Sequence, residues 1–284
     1  MEYFFYSNIM PIVVLYKQSI EQSVTLQTLN AGLKVANVTM DVFVYDNSPA
    51  KGSYAKKFRW NQFNIHYVPD QRNSGLSKAY NSGADAARAL SKEWILLLDQ
   101  DTSFPLNIFN NYFNAVAAHS AVSLFAPILK LSNGRIFSPC INKHKRGYPV
   151  EEISSGEYNL KQFSPVNSGI LVKLDLFLRV GGYNENVKVD FCDFQFLEKV
   201  QKVNPSFYLI QSIALQDFSS DEVSVEKQMQ RFKIYLEDAR NCKKYTVADR
   251  LGFFYTVTRH AVGLTVKLRK VSFIKVYLLK YLFS

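Results

Sequence analysis

The chain is short of cysteine, of histidine and of long apolar runs. Its 284 residues include three cysteines, Cys140, Cys192 and Cys242, with no C-x-x-C pair among them. Three scattered thiols cannot all pair with one another and lack the spacing of a structural zinc site. A disulfide or zinc framework is therefore not expected, and a reducing compartment fits best. No run of about eighteen uncharged apolar residues occurs, so a membrane-spanning helix is not expected either. Internal repeats and low-complexity tracts are missing. The opening stretch, MEYFFYSNIMPIVVLY, has no basic flank before its apolar run, and it reads as mature protein leading into a first strand, not as a signal peptide.

What is present is the composition of a folded protein. With 48% hydrophobic and 20% charged residues, the chain can bury a core and is not disordered. Its length suits one large α/β domain, or one domain with an appendage. The net charge of +10 is unevenly placed: residues 250–284 hold seven basic side chains (Arg250, Arg259, Lys267, Arg269, Lys270, Lys275, Lys280) and no acid. Removing these seven leaves +3 for the first 249 residues.

The first half alternates short apolar runs with helical periods, the pattern of a mostly parallel sheet covered by helices. Ile12–Tyr16, Val42–Asp46, Asn64–Val68 and Trp94–Asp99 read as strands, the last apolar enough to be buried on both faces. Residues 20–36 carry a weak helical period. Residues 74–90 carry a stronger one through Leu76, Ala79, Tyr80, Gly83, Ala84, Ala87 and Leu90. A helix over 106–118, strands over 123–129, 134–139 and 168–173, and a short helix ending at Gly181-Gly182 follow. Residues 141–159 are polar and punctuated by Gly and Pro, and read as an exposed loop.

Acidic residues gather at the ends of these runs. Asp99-Gln100-Asp101 follows WILLLD, where two carboxylates must find water, hydrogen bonds or a cation. Ligands in open α/β sheets bind beyond the carboxyl ends of strands, and paired carboxylates with phosphate oxygens suit Mg²⁺ or Mn²⁺. For a bare D-x-D an ordinary acidic strand-to-loop turn is the commoner explanation. Asp46-Asn47-Ser48 ends another strand, as a second polar cluster or a simple turn. Asn73-Ser74-Gly75 introduces a helix whose N-terminal N–H groups either meet a phosphate or are merely capped. Asp190 and Asp193 stand among Phe, Val and Cys. There a carboxyl can have a raised pKa and act as a general base, or can cap the helix expected from about Phe194 to Val203.

Taken in order, IVVLY, VYDNS, NSGLSKAYNSG, WILLLDQDT, NSGILV, GGYNENVKVDFCD and YLEDARN resemble the inverting GT-A glycosyltransferases of family 2, in particular a bacterial rhamnosyltransferase-like branch. The likeness runs over residues 10–245. It implies a Rossmann-like GT-A domain over 1–220 and a helical, basic C-terminal region over 221–284. It further implies nucleotide-sugar contacts at Asp46, Asn73 and Asp99, a divalent Mg²⁺ or Mn²⁺ at Asp101, a catalytic base at Asp193 and a secondary acid at Asp190. Where the branch has a downstream His, a candidate metal ligand, this chain has Gln216. Where it has another acid after the base, this chain has Gln195, and Lys199 stands at a common Arg position.

The implied reaction is transfer of a sugar, L-rhamnose from dTDP-rhamnose first and a UDP-linked hexose second, to a lipid-linked glycan in surface polysaccharide synthesis. A nucleotide-sugar-binding scaffold without turnover is the alternative. The basic, aromatic tail is expected to touch an anionic membrane from the cytoplasmic side, five of its seven cations falling on half of a continuous helical wheel. No nucleic-acid recognition motif accompanies the charge, so a nucleic-acid partner is not expected.

Overall fold

The computed structural model describes residues 2–49, 54–216 and 224–283. Four parallel strands form the first half of its large sheet: β1 (Ile9–Leu15), β2 (Met40–Asp46), β4 (Phe63–Pro69) and β5 (Trp94–Asp99), in the order β5-β1-β2-β4, with the short β3 (Lys57–Trp60) on the outer edge. β1 is buried along its whole length and β5 along all but its last residue, as their unbroken apolar sequences require. A short α1 (Glu2–Ser7) precedes β1, and helices α2 (Val24–Ala36) and α3 (Leu76–Ala89) supply the crossovers. On α3 the buried residues Ala79, Tyr80, Gly83, Ala84 and Ala87 recur at three- and four-residue steps, and Gly83 lies so close to Ile12 that a Cβ there would meet its side chain at 2.6 Å.

The second half of the sheet is mixed. A two-residue strand β6 (Thr102–Ser103) and helix α4 (Ile108–Ala118) lead to β7 (Leu124–Leu131) and β8 (Ile136–Ser138). The segment expected as one exposed loop instead contributes β9 (Cys140–Lys143), β10 (Arg146–Tyr148) and β11 (Gly156–Asn159). β9 pairs with β10 and with β12 (Phe163–Ser164) in a small separate sheet, while β11 joins the edge of the main one. This is a correction to the loop expectation: polar strands at an edge carry few apolar residues, so periodicity does not reveal them. β13 (Ile170–Lys173) runs antiparallel between β5 and β7, and β14 (Ser206–Gln216), unmarked in the sequence patterns, runs parallel to β7.

Helices α5 (Leu174–Arg179) and α6 (Cys192–Gln201) cover this half, followed by α7 (Val225–Asn241), α8 (Val247–Leu268) and α9 (Ser272–Tyr277), which ends in a π-turn over Leu278–Leu282. One hydrophobic cluster runs from Tyr80 and Phe177 through Phe191 and Phe196 to Phe232, Phe253, Phe273 and Tyr277, so the C-terminal helices pack on the sheet's own core. The boundary expected at residues 220 and 221 lies outside the described residues. The C-terminal region is not one continuous helix: Arg269 adopts a left-handed conformation (φ 52°) and caps α8, so a single helical wheel over the basic tail does not hold. All three cysteines are buried and free.

Candidate active site at the strand ends

The parallel strands finish abreast. In register, Val14 stands opposite Asp99, Leu15 opposite Asp46, and Asp46 opposite Pro69. The chain leaves β1 toward β2 and β4 and returns on the other side as β5, so the crevice beyond β1 and β5 is a topological switch point, where such sheets take ligands. A cavity of about 420 Å³ opens there, its wall including Asn47, Asn73, Asp99, Asp101, Gln216 and Arg231. A larger cleft of about 570 Å³ near Tyr6, Gly32 and Leu106 has no charged side chain in its lining.

The D-x-D turn is tied down from both sides. Ser23 donates its hydroxyl to the Gln100 carbonyl (2.9 Å), and Thr25 donates to the Asp99 carbonyl (2.7 Å). The Asp99 N–H reaches the Ser168 hydroxyl (3.3 Å), which meets Thr102 Oγ1 at 2.6 Å. Thr102 donates onward to the Gln216 carbonyl, and Gln216 gives its amide N–H to Asp101 Oδ1 (2.6 Å). A relay of short polar side chains therefore ties the Asp99 backbone and the Asp101 carboxylate to Ser168, just before β13, and to Gln216 at the end of β14. Burial pushes the Asp99 carboxyl up to about 7, the Asp101 charge adds to the rise, and the Tyr80 hydroxyl, 3.1 Å away, opposes it; Asp193 also raises it.

Asp46 lies at the same edge but behind the cavity wall. It is buried, accepting from Tyr67 Oη (2.5 Å) and from the Ser48 N–H (2.9 Å), while its neighbour Asn47 faces the cavity. Asn73, also in the wall, takes φ 51°, a left-handed conformation that Asn tolerates. Asp70, which the sequence patterns do not single out, shapes this turn by accepting from the Arg72 and Ser74 N–H groups and from Tyr45 Oη. Two N–H groups at the start of α3 are already engaged: Leu76 N–H bonds the Lys188 carbonyl (2.7 Å) and the N-cap Gly75 N–H reaches Asn47 Oδ1 (3.4 Å). Gly75 is required here, since its φ is +98° and a Cβ would meet the Lys188 oxygen at 2.5 Å.

The segment 189–194 borders both this cavity, through Val189, and a groove of about 300 Å³ lined by Arg146, Asp190, Phe191, Phe194, Tyr235 and His260. Asp193 sits in the first turn of α6, in the lining of neither the cavity nor the groove, and accepts the Phe194 N–H (2.8 Å). Burial drives its carboxyl up to about 6, the Phe194 bond opposes this, and the Asp190 charge adds to it. Asp190 is engaged by a bidentate ion pair with Arg231 on α7.

The segment is held in place by Asp238, also on α7, whose two oxygens accept the backbone N–H groups of Lys188 (2.7 Å), Val189 (2.9 Å) and Asp190 (2.9 Å). Asp238 belongs to YLEDARN, but nothing in its sequence neighbourhood indicates what it binds some fifty residues upstream. Lys199 donates to the carbonyls of Gly181 and Gly182, anchoring α6 to the end of α5.

Two carboxylates at one cavity supply oxygen donors suited to a hard divalent cation whose remaining positions would be filled by phosphate and water. Gln216 presents its N–H to Asp101 and its carbonyl to Thr102, so in this arrangement it orients Asp101 instead of offering an open oxygen. Among the described residues no group of three or more His, Cys, Asp or Glu is placed to hold a metal.

A family model for glycosyl transferase family 2 matches residues 12–175, more than half of the chain. The dTDP-rhamnosyl transferase RfbF of Shigella flexneri is 24% identical over 192 residues, covering 67% of this chain and 62% of RfbF, so the match spans less than two thirds of that relative. Among solved structures, GalNAc-T7 with UDP, GalNAc and Mn²⁺ superposes with a TM-score of 0.58 at 11% identity, over 89% of this chain and 55% of that one. S. aureus TarS 1–349 in complex with UDP-GlcNAc gives a TM-score of 0.53 at 18% identity, over 89% of this chain and 72% of that one. At such identities the structural likeness speaks for the fold, while the matched family carries the chemistry: the chain has the GT-A fold and belongs to glycosyl transferase family 2.

Proposed function

We propose that the protein is an inverting hexosyltransferase that moves one sugar from a nucleotide donor to a lipid-linked glycan in bacterial surface polysaccharide synthesis. L-rhamnose from dTDP-rhamnose is the first candidate donor, supported by the likeness to RfbF, and a UDP-linked hexose is the second. The observation that carries the reading is the pairing of Asp99 and Asp101 in a cavity at the switch point with a high-pKa carboxyl, Asp193, on the segment that walls it off from the neighbouring groove.

In this reading the nucleotide sugar lies across the ends of β1 and β5, with Asn47, Asn73 and Asp99 around it and Asp46 bracing the edge through Ser48 and Tyr67. Asp101 would hold a divalent cation, Mg²⁺ or Mn²⁺, with Asp99 beside it toward the sugar, and the bound cation would offset charge on the departing diphosphate. The acceptor occupies the groove beside Phe191 and Phe194. Asp193 takes the proton from its hydroxyl as that oxygen bonds to the anomeric carbon and the carbon–phosphate oxygen bond breaks from the opposite face. A carboxyl near 6 is ionised at neutral pH yet basic enough for this transfer. Alignment of donor and acceptor supplies much of the rate.

The acceptor's lipid calls for a membrane surface. α8 exposes Val247, Leu251, Phe254, Tyr255, Val262 and Val266, which at 100° per residue share about 120° of the helix, with Arg250 and Arg259 at its two edges. An apolar stripe flanked by cations suits the interface of an anionic bilayer, here the inner face of the cell membrane. No described helix is long and apolar enough to cross a membrane.

A nucleotide-sugar-binding scaffold without turnover is the second reading; it draws on Gln195, buried with its amide nitrogen unpartnered, and on Gln216, whose amide is committed to Asp101 and Thr102. Calorimetric titration of dTDP, UDP and GDP, each with Mn²⁺, Mg²⁺ or EDTA, tests the donor site. Metal-dependent binding of one nucleotide, lost in Asp101→Ala, is expected; no binding of any nucleotide would remove the glycosyltransferase reading. Multiple turnover with that nucleotide's sugar separates enzyme from scaffold.

A further inference from the structure

Arg231 is the one cation among the described residues that line the donor cavity, whose other charged groups are Asp99 and Asp101. A nucleotide sugar entering that cavity brings two negative charges on its diphosphate toward two carboxylates. It gains another as the glycosidic bond breaks, so a fixed cation in the wall stabilises the transition state more than the ground state. The guanidinium is already formed up as a fork: Nη2 meets Asp190 Oδ1 at 2.8 Å and Nη1 meets Oδ2. That geometry fits a phosphate as well as a carboxylate.

The pair is not a core element. The Arg231 side chain is 50% exposed and that of Asp190 21%, and an ion pair so open to water holds a fold only weakly. Asp190 also lines the grooves on the far side of Arg231, and its backbone N–H is fixed separately by Asp238, so the guanidinium can leave without unravelling the segment.

We propose that Arg231 grips the donor's diphosphate, exchanging Asp190 for a phosphate when the nucleotide sugar enters, and that Asp190 holds the guanidinium in readiness between turnovers. This rests on the donor-site reading above. It assigns opposite signs to the two partners of one ion pair: Arg231 favours donor binding, and Asp190 competes with it.

The test is calorimetric binding of UDP and dTDP, with UMP and dTMP as controls, in Mn²⁺, to the full chain and to Arg231→Gln, Arg231→Lys and Asp190→Asn, with thermal melts confirming that each variant folds. Arg231→Gln should weaken the preferred diphosphate at least tenfold and its monophosphate less than threefold, with Arg231→Lys in between. Asp190→Asn should bind the diphosphate as tightly as the wild type or several-fold more tightly. If both Arg231→Gln and Asp190→Asn weaken binding alike, or if Arg231→Gln binds the diphosphate within twofold of the wild type, the exchange is wrong while the donor site stands. If the wild type binds no nucleotide, the donor reading falls and the exchange falls with it.

Discussion

The two halves of the large sheet were built under different rules. In the parallel half, β5-β1-β2-β4, every strand and both crossover helices announce themselves locally. Apolar runs mark the strands, and the three- and four-residue steps of α3 mark the helix that covers them. In the mixed half, β14 is eleven residues long and escapes notice because Ile213 and Leu215 on its exposed face are as apolar as the buried Leu209 and Ala214. The strands between Cys140 and Asn159 escape for the opposite reason, having too few apolar residues to alternate. Partner choice in this half is a matter of long-range pairing, which periodicity cannot report.

The candidate site divides along the same line. The strand-end acids Asp46, Asp99 and Asp101 are visible because carboxylates after an apolar run are physically conspicuous. Asp193 is visible as an acid amid apolar neighbours. Arg231, Asp238 and Asp70 are not, since each acts through residues that only the fold brings near: Arg231 on Asp190, Asp238 on Lys188–Asp190, Asp70 on Tyr45. Local patterns mark carboxylates set against apolar runs, and miss groups whose partners lie tens of residues away in the chain.

If the mixed half is a frame for the segment 189–194, its keystone is Asp238. Replacing Asp238 with Ala leaves three backbone N–H groups without their acceptor. A loss of roughly 2–4 kcal/mol follows, read as a melting temperature lower by roughly 5–10 °C. Transfer should fall tenfold or more while nucleotide affinity stays within about threefold. A variant that melts like the wild type would show that the segment needs no such support.

The pH profile sharpens the division further. Asp193 must be ionised to accept a proton, and its carboxyl is raised to about 6, chiefly by burial. With metal and donor saturating, so that Asp99 is already engaged, the profile of kcat should therefore hold level above that value and lose about tenfold per pH unit below it. An acid limb near 4, the range of an ordinary carboxylate, would mean that a different group does the work. The smallest effect on chemistry is expected at α8. The double variant Leu251→Glu, Phe254→Glu should lose tenfold or more of its binding to anionic vesicles, with turnover of a soluble acceptor fragment unchanged within twofold. Equal vesicle binding would take the stripe out of the membrane reading.

The most direct test of the central claim, that the parallel half binds the donor and Asp193 in the other half performs the proton transfer, is the rate of sugar transfer by Asp193→Asn, measured beside its nucleotide affinity. The account predicts transfer reduced by about a thousandfold or more, with the metal-dependent dissociation constant for the nucleotide within about twofold of wild type. Transfer at anything near the wild-type rate would contradict it.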